Sequence, residues 1–358
     1  MTLEKDIVLQ GNITTNILYT RALHLLREYC GNEKRNVPMI DLTKVTYIEP
    51  EAVPLLIALG DYFSKLYQDT KIDIKMQEKS DIQNFLINIG FHKYVIDQKF
   101  YNIPENYMDN WTHSIRAIHK IICVKKAEEY SDVIRIKDLE LRRTYLAYNI
   151  QKNIEESCRH ILSDTHHLPE NIINCTIEGL AEILTNASIY SRSQGYAYFA
   201  SDRFGTKGGI CDCGVGLQRT FEDKGYCCEW IQDNEDIRKN PELLYYYLIM
   251  EIMNYSYQRH KKGERCNLWT VQNDLTRYGG TFKIHHGNIQ VIFSSKRCKE
   301  CKKISRFNEC GKRVCLADDL TPCLKCLRND YLNNQNVAIR NYEVAFRGVH
   351  IEFEIPRG

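Results

Sequence analysis

The sequence has no long apolar run and no excess of charge of one sign. Its most apolar stretch, residues 243–253, is shorter than the ~20 residues of a membrane-spanning helix. The first ten residues, MTLEKDIVLQ, lack the apolar core of a signal peptide. We therefore expect a cytoplasmic protein with no membrane span. The net charge of +2 gives no argument for nucleic acid or an anionic lipid surface as an obligatory partner.

Length and composition are those of a globular protein. The 358 residues are enough for two domains, and 43% of them are hydrophobic and 26% charged. In the first hundred residues short apolar strands alternate with amphipathic helices, for example a strand at residues 71–75 and a helix that Ser80 caps. This alternation predicts an α/β fold.

The cysteines favour a metal site. There are 15 of them, and in a cytosolic chain of this size metal binding is a better explanation than disulfides. Two CxxC pairs, Cys298 with Cys301 and Cys323 with Cys326, are separated by 21 residues. This spacing predicts a tetrahedral Zn²⁺ site in an insert at residues 296–330.

Two further cysteines of the insert, Cys310 and Cys315, have no assigned place. They either replace one of the CxxC pairs or form a second site with another ligand. The zinc would fix the fold of the short insert. The alternative is a zinc ribbon that contacts nucleic acid or a partner protein through its lysines and arginines.

An amphipathic helix is predicted at residues 178–191, EGLAEILTNASIYS. Its apolar residues recur at helical spacing on one face. A polar residue recurs every four positions on another face, at Glu178, Glu182, Asn186 and Tyr190. An acid and an amide therefore lie one helical turn apart.

A glycine-containing segment, CDCGVGL, follows at residues 211–217. Asp212 stands two residues before Gly214 and four before Gly216. Glycines at these positions let the backbone turn tightly and approach a ligand closely.

The order ExxxNA followed by DxGxG resembles the N box and first glycine box of the GHKL ATPases, which share the Bergerat nucleotide fold. The resemblance implies that Asn186 helps to hold Mg²⁺ on the phosphates of ATP and that Asp212 hydrogen-bonds the adenine amino group. It also implies that Glu182 is the base that activates the attacking water. Carboxylate and amide oxygens suit Mg²⁺, which keeps several of its waters.

The second glycine box of this family has a partial counterpart in KKGERCNLWTVQNDLTRYGG, residues 261–280. Gly263 is kept, but the following glycines are replaced by Arg265 and Asn267. Asn267 can cap the following helix, whose N-terminus would then face phosphate, and Arg265 would add a charged contact. Alternatively, the lid predicted at residues 218–262 grips ATP loosely, and turnover is slow or absent.

The N-terminal segment, residues 1–105, resembles the STAS domain in its order of strands and helices. Family members that are switched by phosphorylation carry a serine at the tip after the aspartate of the DLTKVTYI segment. This chain has Glu49, Pro50 and Glu51 there. Since no hydroxyl stands at that position, we expect a docking or dimerisation module that binds a protein partner or a second copy.

The remaining boundaries follow from these assignments. Residues 106–168 are predicted to be a helical connector and residues 169–358 a Bergerat-type α/β sandwich that contains the zinc insert. Within it, residues 281–293 are predicted to form a hairpin with His285 and His286 exposed at its tip, and residues 349–355 the closing strand.

The leading hypothesis is an ATP-binding, Mg²⁺-dependent ATPase that acts as a regulatory switch. One alternative is a serine/threonine protein kinase of the anti-sigma-factor type that acts in trans on a STAS partner. The other is a nucleotide-gated binding scaffold without hydrolysis, which the altered second glycine box favours.

Overall fold

The computed structural model describes most of the two predicted α/β regions and little of the cysteine-rich insert. The described residues are 6–24, 38–67, 71–103, 121–166, 170–223, 235, 239–240, 243–262, 267–277, 279–294, 305–307, 313–315 and 339–356.

The N-terminal unit is built on a parallel sheet. Its strands lie side by side in chain order, and every pairing is parallel. They are β1 (Asp6–Ile13), β2 (Met39–Ile48), β3 (Ile72–Lys75) and β4 (Tyr101–Asn102). Parallel neighbours need crossover connections.

Helices occur in each described part of these connections. They are α1 (Thr15–Ile17), which continues as a π-helical turn (Leu18–Ala22), α2 (Ala52–Leu66), α3 (Asp81–Asn88) and α4 (His92–Ile96). Ser80 caps α3 as predicted, since its side chain accepts a hydrogen bond of 3.2 Å from the backbone N–H of Gln83.

The second unit is built on an antiparallel sheet with the strand order β5-β6-β7-β11-β8. Its strands are β5 (Ile122–Val124), β6 (Gly195–Ser201), β7 (Gly205–Asp212), β8 (Thr281–Ser294) and β11 (Ile339–Pro356). Between β8 and β11 in the chain, the short strands β9 (Ser305–Phe307) and β10 (Arg313–Cys315) pair with each other.

Helices of this unit cover one face of the antiparallel sheet. A short 3-10 turn, Ala127–Glu129, precedes them. The helices are α5 (Ser131–Ile134), α6 (Leu139–His166), α7 (Glu170–Tyr190), α8 (Gly216–Asp223), α9 (Leu243–Lys261) and α10 (Leu268–Arg277). Gly179 lets α7 and α10 approach closely, because a Cβ there would lie 1.8 Å from Val271 Cγ2.

The opposite face of the antiparallel sheet packs on the N-terminal unit. Residues alternate between the two faces along a strand. Tyr196 and Cys211 share one hydrophobic core with the parallel unit, whereas Ala197 and Ile210 share another with helices α6, α7 and α9. The two units therefore form a mixed α/β fold with a parallel sheet and a five-stranded antiparallel sheet, in agreement with the predicted class at this level.

The predicted connector is not helical throughout. Ile122 of β5 pairs with Ala197 of β6 and adds an edge strand to the antiparallel sheet. The main helix in its described part is α6, which starts at Leu139 and follows the short helix α5. A three-residue strand has no periodicity of its own, so only the pairing with β6 identifies it.

The predicted hairpin at residues 281–293 is wrong. This segment is the single strand β8, which pairs with β11 on both sides of Gly287. Gly287 has a φ of +62° and lies where the register of the two strands shifts. The glycine that predicted a hairpin turn therefore marks a β-bulge. His285 and His286 are consequently buried, at 0% and 3% exposure.

The cysteines of the predicted zinc site, Cys298, Cys301, Cys323 and Cys326, lie outside the described residues, so the site stays a prediction. Among the residues that are described, no group of three or more His, Cys, Asp or Glu side chains is arranged to hold a metal ion. None of the described helices is long and apolar enough to cross a membrane.

Candidate functional site

A cavity of about 1100 Å³, including its open mouth, lies between the antiparallel sheet and helices α7, α8, α9 and α10. Its walls are largely apolar, with isoleucines from β7, β8 and β11 at the sheet side. Its polar and charged lining includes Glu182, Asn186, Asp212, Arg259 and Asn267. Small-molecule sites commonly combine apolar walls with a few convergent polar groups in this way.

Helix α7 supplies the acid and the amide predicted from its four-residue spacing. Asn186 Nδ2 donates a hydrogen bond of 3.3 Å to Glu182 Oε1. Glu182 also forms an ion pair with Arg143 of α6, and the two side chains are only 17% and 12% exposed. Arg143 is not among the predicted site residues, because its role depends on how α6 packs against α7.

Asp212 ends β7 and turns its carboxylate into the cavity. Its Oδ1 accepts a hydrogen bond of 2.8 Å from the backbone N–H of Gly214. Burial raises the pKa of Asp212 to about 7, although hydrogen bonds from the Gly214 and Val349 backbones and the charge of Lys65 act in the opposite direction. A buried carboxyl with a perturbed pKa in a cavity is typical of a functional group.

The two glycines after Asp212 are required by close contacts. A Cβ at Gly214 would lie 2.1 Å from the carbonyl oxygen of Ser191. Gly216 has a φ of +78°, and a Cβ there would lie 2.6 Å from the His286 ring. The DxGxG segment therefore turns tightly from β7 into α8, as its glycines predicted.

Asn267 caps α10 at the edge of the cavity. Its Oδ1 accepts a hydrogen bond of 3.1 Å from the backbone N–H of Thr270, and its Nδ2 donates one of 2.9 Å to the carbonyl of Ser256 in α9. The predicted capping role is thus present, and the side chain also ties α10 to α9. The neighbouring candidates Gly263 and Arg265 lie outside the described residues.

Arg259, near the end of α9, is the one cation among the described residues that line the cavity. Its guanidinium carbon lies 5.7 Å from the centre of the Tyr255 ring, within the range of a cation–π contact. Arg259 is not among the predicted site residues either. The only signal was an arginine in the polar last turn of a helix that begins with an apolar run at residues 243–250.

Known proteins add nothing to this description: neither family models, nor curated proteins, nor solved structures gave a match.

Proposed function

We propose that this protein binds ATP with Mg²⁺ in the cavity and hydrolyses it as a regulatory switch. The observation that carries the proposal is that a single cavity gathers Glu182, Asn186 and the buried Asp212. The five-stranded antiparallel sheet with helices on one face supports assigning the second unit to the Bergerat fold, and the parallel sheet with its crossover helices supports assigning the first unit to the STAS-like fold.

The sheet side of the cavity suits a nucleobase. Asp212 offers a buried acceptor next to the apolar side chains of Ile210, Ile284 and Ile351. A flat base that presents one amino group would bury its ring against these isoleucines and donate a hydrogen bond to Asp212. Adenine has this chemistry.

The residues present also fit Mg²⁺ and phosphate. Because the Nδ2 of Asn186 donates to Glu182, its amide oxygen is the atom offered to a hard cation. Arg259 supplies positive charge for phosphate oxygens. When bound, Mg²⁺ would neutralise phosphate charge and help to orient the terminal phosphate.

Glu182 is the proposed general base. Its ion pair with Arg143 fixes the side chain beside the cavity. The carboxylate would accept the proton of the water that attacks the terminal phosphorus of ATP, while the bond from that phosphorus to the bridging oxygen breaks and ADP leaves. A positioned base typically contributes ~10² to 10⁴ in rate.

Phosphate release from ATP by the full-length protein, with Mg²⁺, tests this proposal. Glu182→Ala should abolish release and keep ATP binding, whereas Asp212→Asn should lose both. Glu178→Ala is the matched control, since Glu178 lies one turn earlier on α7 and outside the cavity lining. Release that persists in Glu182→Ala would remove Glu182 from the role of base.

The same assay with labelled ATP separates the two alternatives. Label transferred to a partner protein would support the kinase, and binding without phosphate release would support the scaffold. Phosphorylation of the chain's own tip is disfavoured, because Glu49, Pro50 and Glu51 carry no hydroxyl group. Protein partners, a homodimer and the zinc of the insert stay proposals.

A further inference from the structure

The parallel unit reaches the back of the proposed nucleotide cavity through helix α2. Lys65 of α2 donates hydrogen bonds of 2.8 Å to Asp61 Oδ2, 2.8 Å to Ser193 Oγ and 3.3 Å to Cys213 Sγ. Asp61 and Lys65 are one turn apart on α2, and the Asp61 side chain is only 4% exposed. Ser193 and Cys213 belong to the other unit.

The two residues that Lys65 contacts follow the two segments that carry the site. Ser193 comes just after α7, which holds Glu182 and Asn186, and Cys213 is the residue after Asp212. Because side chains alternate along a strand, Asp212 faces the cavity while Cys213 faces α2.

The two segments are also bonded to each other. The backbone N–H of Val215 donates to the carbonyl of Ser191 at 2.8 Å, and Ser193 Oγ forms a hydrogen bond of 3.2 Å with Cys213 Sγ. The close approach of Gly214 to Ser191 leaves no room for a side chain between them. The loops after α7 and after β7 therefore form one block, and Lys65 contacts both halves of it.

The contact between α2 and the two loops depends on Lys65, because Lys65 is the counter-ion of the buried Asp61. The Cys213 thiol donates to Asp61 Oδ2 at 2.9 Å and the Tyr196 hydroxyl at 3.0 Å. Removing Lys65 would leave a buried carboxylate without its counter-ion directly behind Asp212, which is strongly unfavourable. Burial is the main cause of the raised pKa of Asp212, but the charges of Lys65, which lowers it, and Asp61, which raises it, also reach that group.

We propose that Lys65, paired with Asp61, is a positioning residue for the nucleotide site and couples the parallel unit to nucleotide affinity. The predicted effect on nucleotide affinity rests on the proposed function. The predicted effect on the two loops is independent of it. By thermodynamic linkage, nucleotide binding would in turn strengthen the contact between α2 and the two loops.

Hydrogen exchange of the nucleotide-free, full-length protein tests the effect on the loops. In Lys65→Met, the backbone amides of Ser193 and Val215 should exchange about tenfold faster than in the wild type. In Lys65→Arg, most of the wild-type protection should remain. Lys75→Met is the matched control. It breaks the ion pair between Lys75 and Asp41, 3.1 Å apart, which lies in the same unit and is separate from the contacts of Lys65 and Asp61.

Titration of ATP with Mg²⁺ into the same variants tests the coupling. Lys65→Met should bind about 5- to 150-fold more weakly, the usual range of coupling between sites. If Lys65→Met does not fold, Asp61→Asn with Lys65→Met removes both charges and should show the same faster exchange and weaker binding.

Unchanged exchange in a folded Lys65→Met protein would overturn the inference, and so would faster exchange with unchanged ATP affinity. A wild type that binds no nucleotide would overturn the proposed function and with it the coupling. The exchange result would still decide whether Lys65 holds the loops.

Discussion

Arg143 of α6 and Glu182 of α7, 39 positions apart in the chain, form an ion pair at the edge of the cavity. The pair places a guanidinium beside the proposed base. Because each side chain is mostly shielded from water, the pair is less screened than one on the open surface. It fixes the carboxylate of Glu182 in one place.

Replacing Arg143 by Met is therefore expected to slow ATP turnover and leave ATP affinity nearly unchanged. Misplacing a catalytic group by about 1 Å lowers rates on the order of 10- to 100-fold. The control is Arg159→Met, since Arg159 also links α6 to α7, through Glu170, but lies outside the cavity lining. Steady-state phosphate release would measure both variants. Equal rates for Arg143→Met and the wild type would contradict the assigned role.

Asp212→Asn is expected to make the protein more stable at neutral pH while it loses nucleotide. The pKa of Asp212 is about 7 in the folded protein, above its ordinary 3.8. Its favourable contribution is therefore complete below about pH 4 and is lost as pH rises to about 7. Asparagine removes this dependence and gains on the order of 2–4 kcal/mol. Urea unfolding at pH 5 and pH 8 would measure the gain in free energy of unfolding of the variant over the wild type. A gain at pH 8 no larger than at pH 5 would contradict the raised pKa of Asp212.

Glu51→Gln separates stability from binding. Burial raises the pKa of Glu51 to about 7, with Lys207 opposing, and Glu51 Oε2 has no hydrogen-bond partner. Its favourable contribution is lost as pH rises from about 4.5 to about 7, so the amide should stabilise the protein at pH 8 by about 1–3 kcal/mol. We expect ATP affinity within about twofold of the wild type. Thermal unfolding and ATP titration of the variant would show whether the two effects separate.

Gly214→Ala is expected to destabilise the protein and to weaken nucleotide binding. The added Cβ would meet a backbone carbonyl, that of Ser191, which cannot move without shifting the end of α7. Gly90→Ala is the control: its φ is +83°, but open space surrounds the Cβ position, so only backbone strain of about 1–2 kcal/mol applies. Thermal unfolding and ATP titration would compare the two, and normal ATP affinity in Gly214→Ala would contradict the proposed role of this turn.

Local patterns predicted much of the candidate site. The polar face of α7 follows from the four-residue spacing of its polar residues. The turn after β7 follows from Gly214 and Gly216, because glycine tolerates tight turns. These features depend on neighbours in the chain, so the sequence alone is enough. The cap of α10 by Asn267 was predicted for the same reason.

Contacts between distant segments were not predictable in this way. His285 and His286 were assigned to an exposed turn, because the pairing of β8 with β11 is invisible in a local pattern. Arg143 and Lys65 were missed because each contacts residues that lie far away in the chain, and Arg259 because several distant segments form the cavity that it lines. Such roles emerge only when helices and sheets are packed together.

The most direct test of the central claim is calorimetric titration of ATP with Mg²⁺ into the wild type and Asp212→Asn. The account predicts saturable binding of one ATP by the wild type and no measurable binding by the folded variant. Equal binding by the two proteins would contradict the assignment of Asp212, and no binding by the wild type would contradict the nucleotide site itself.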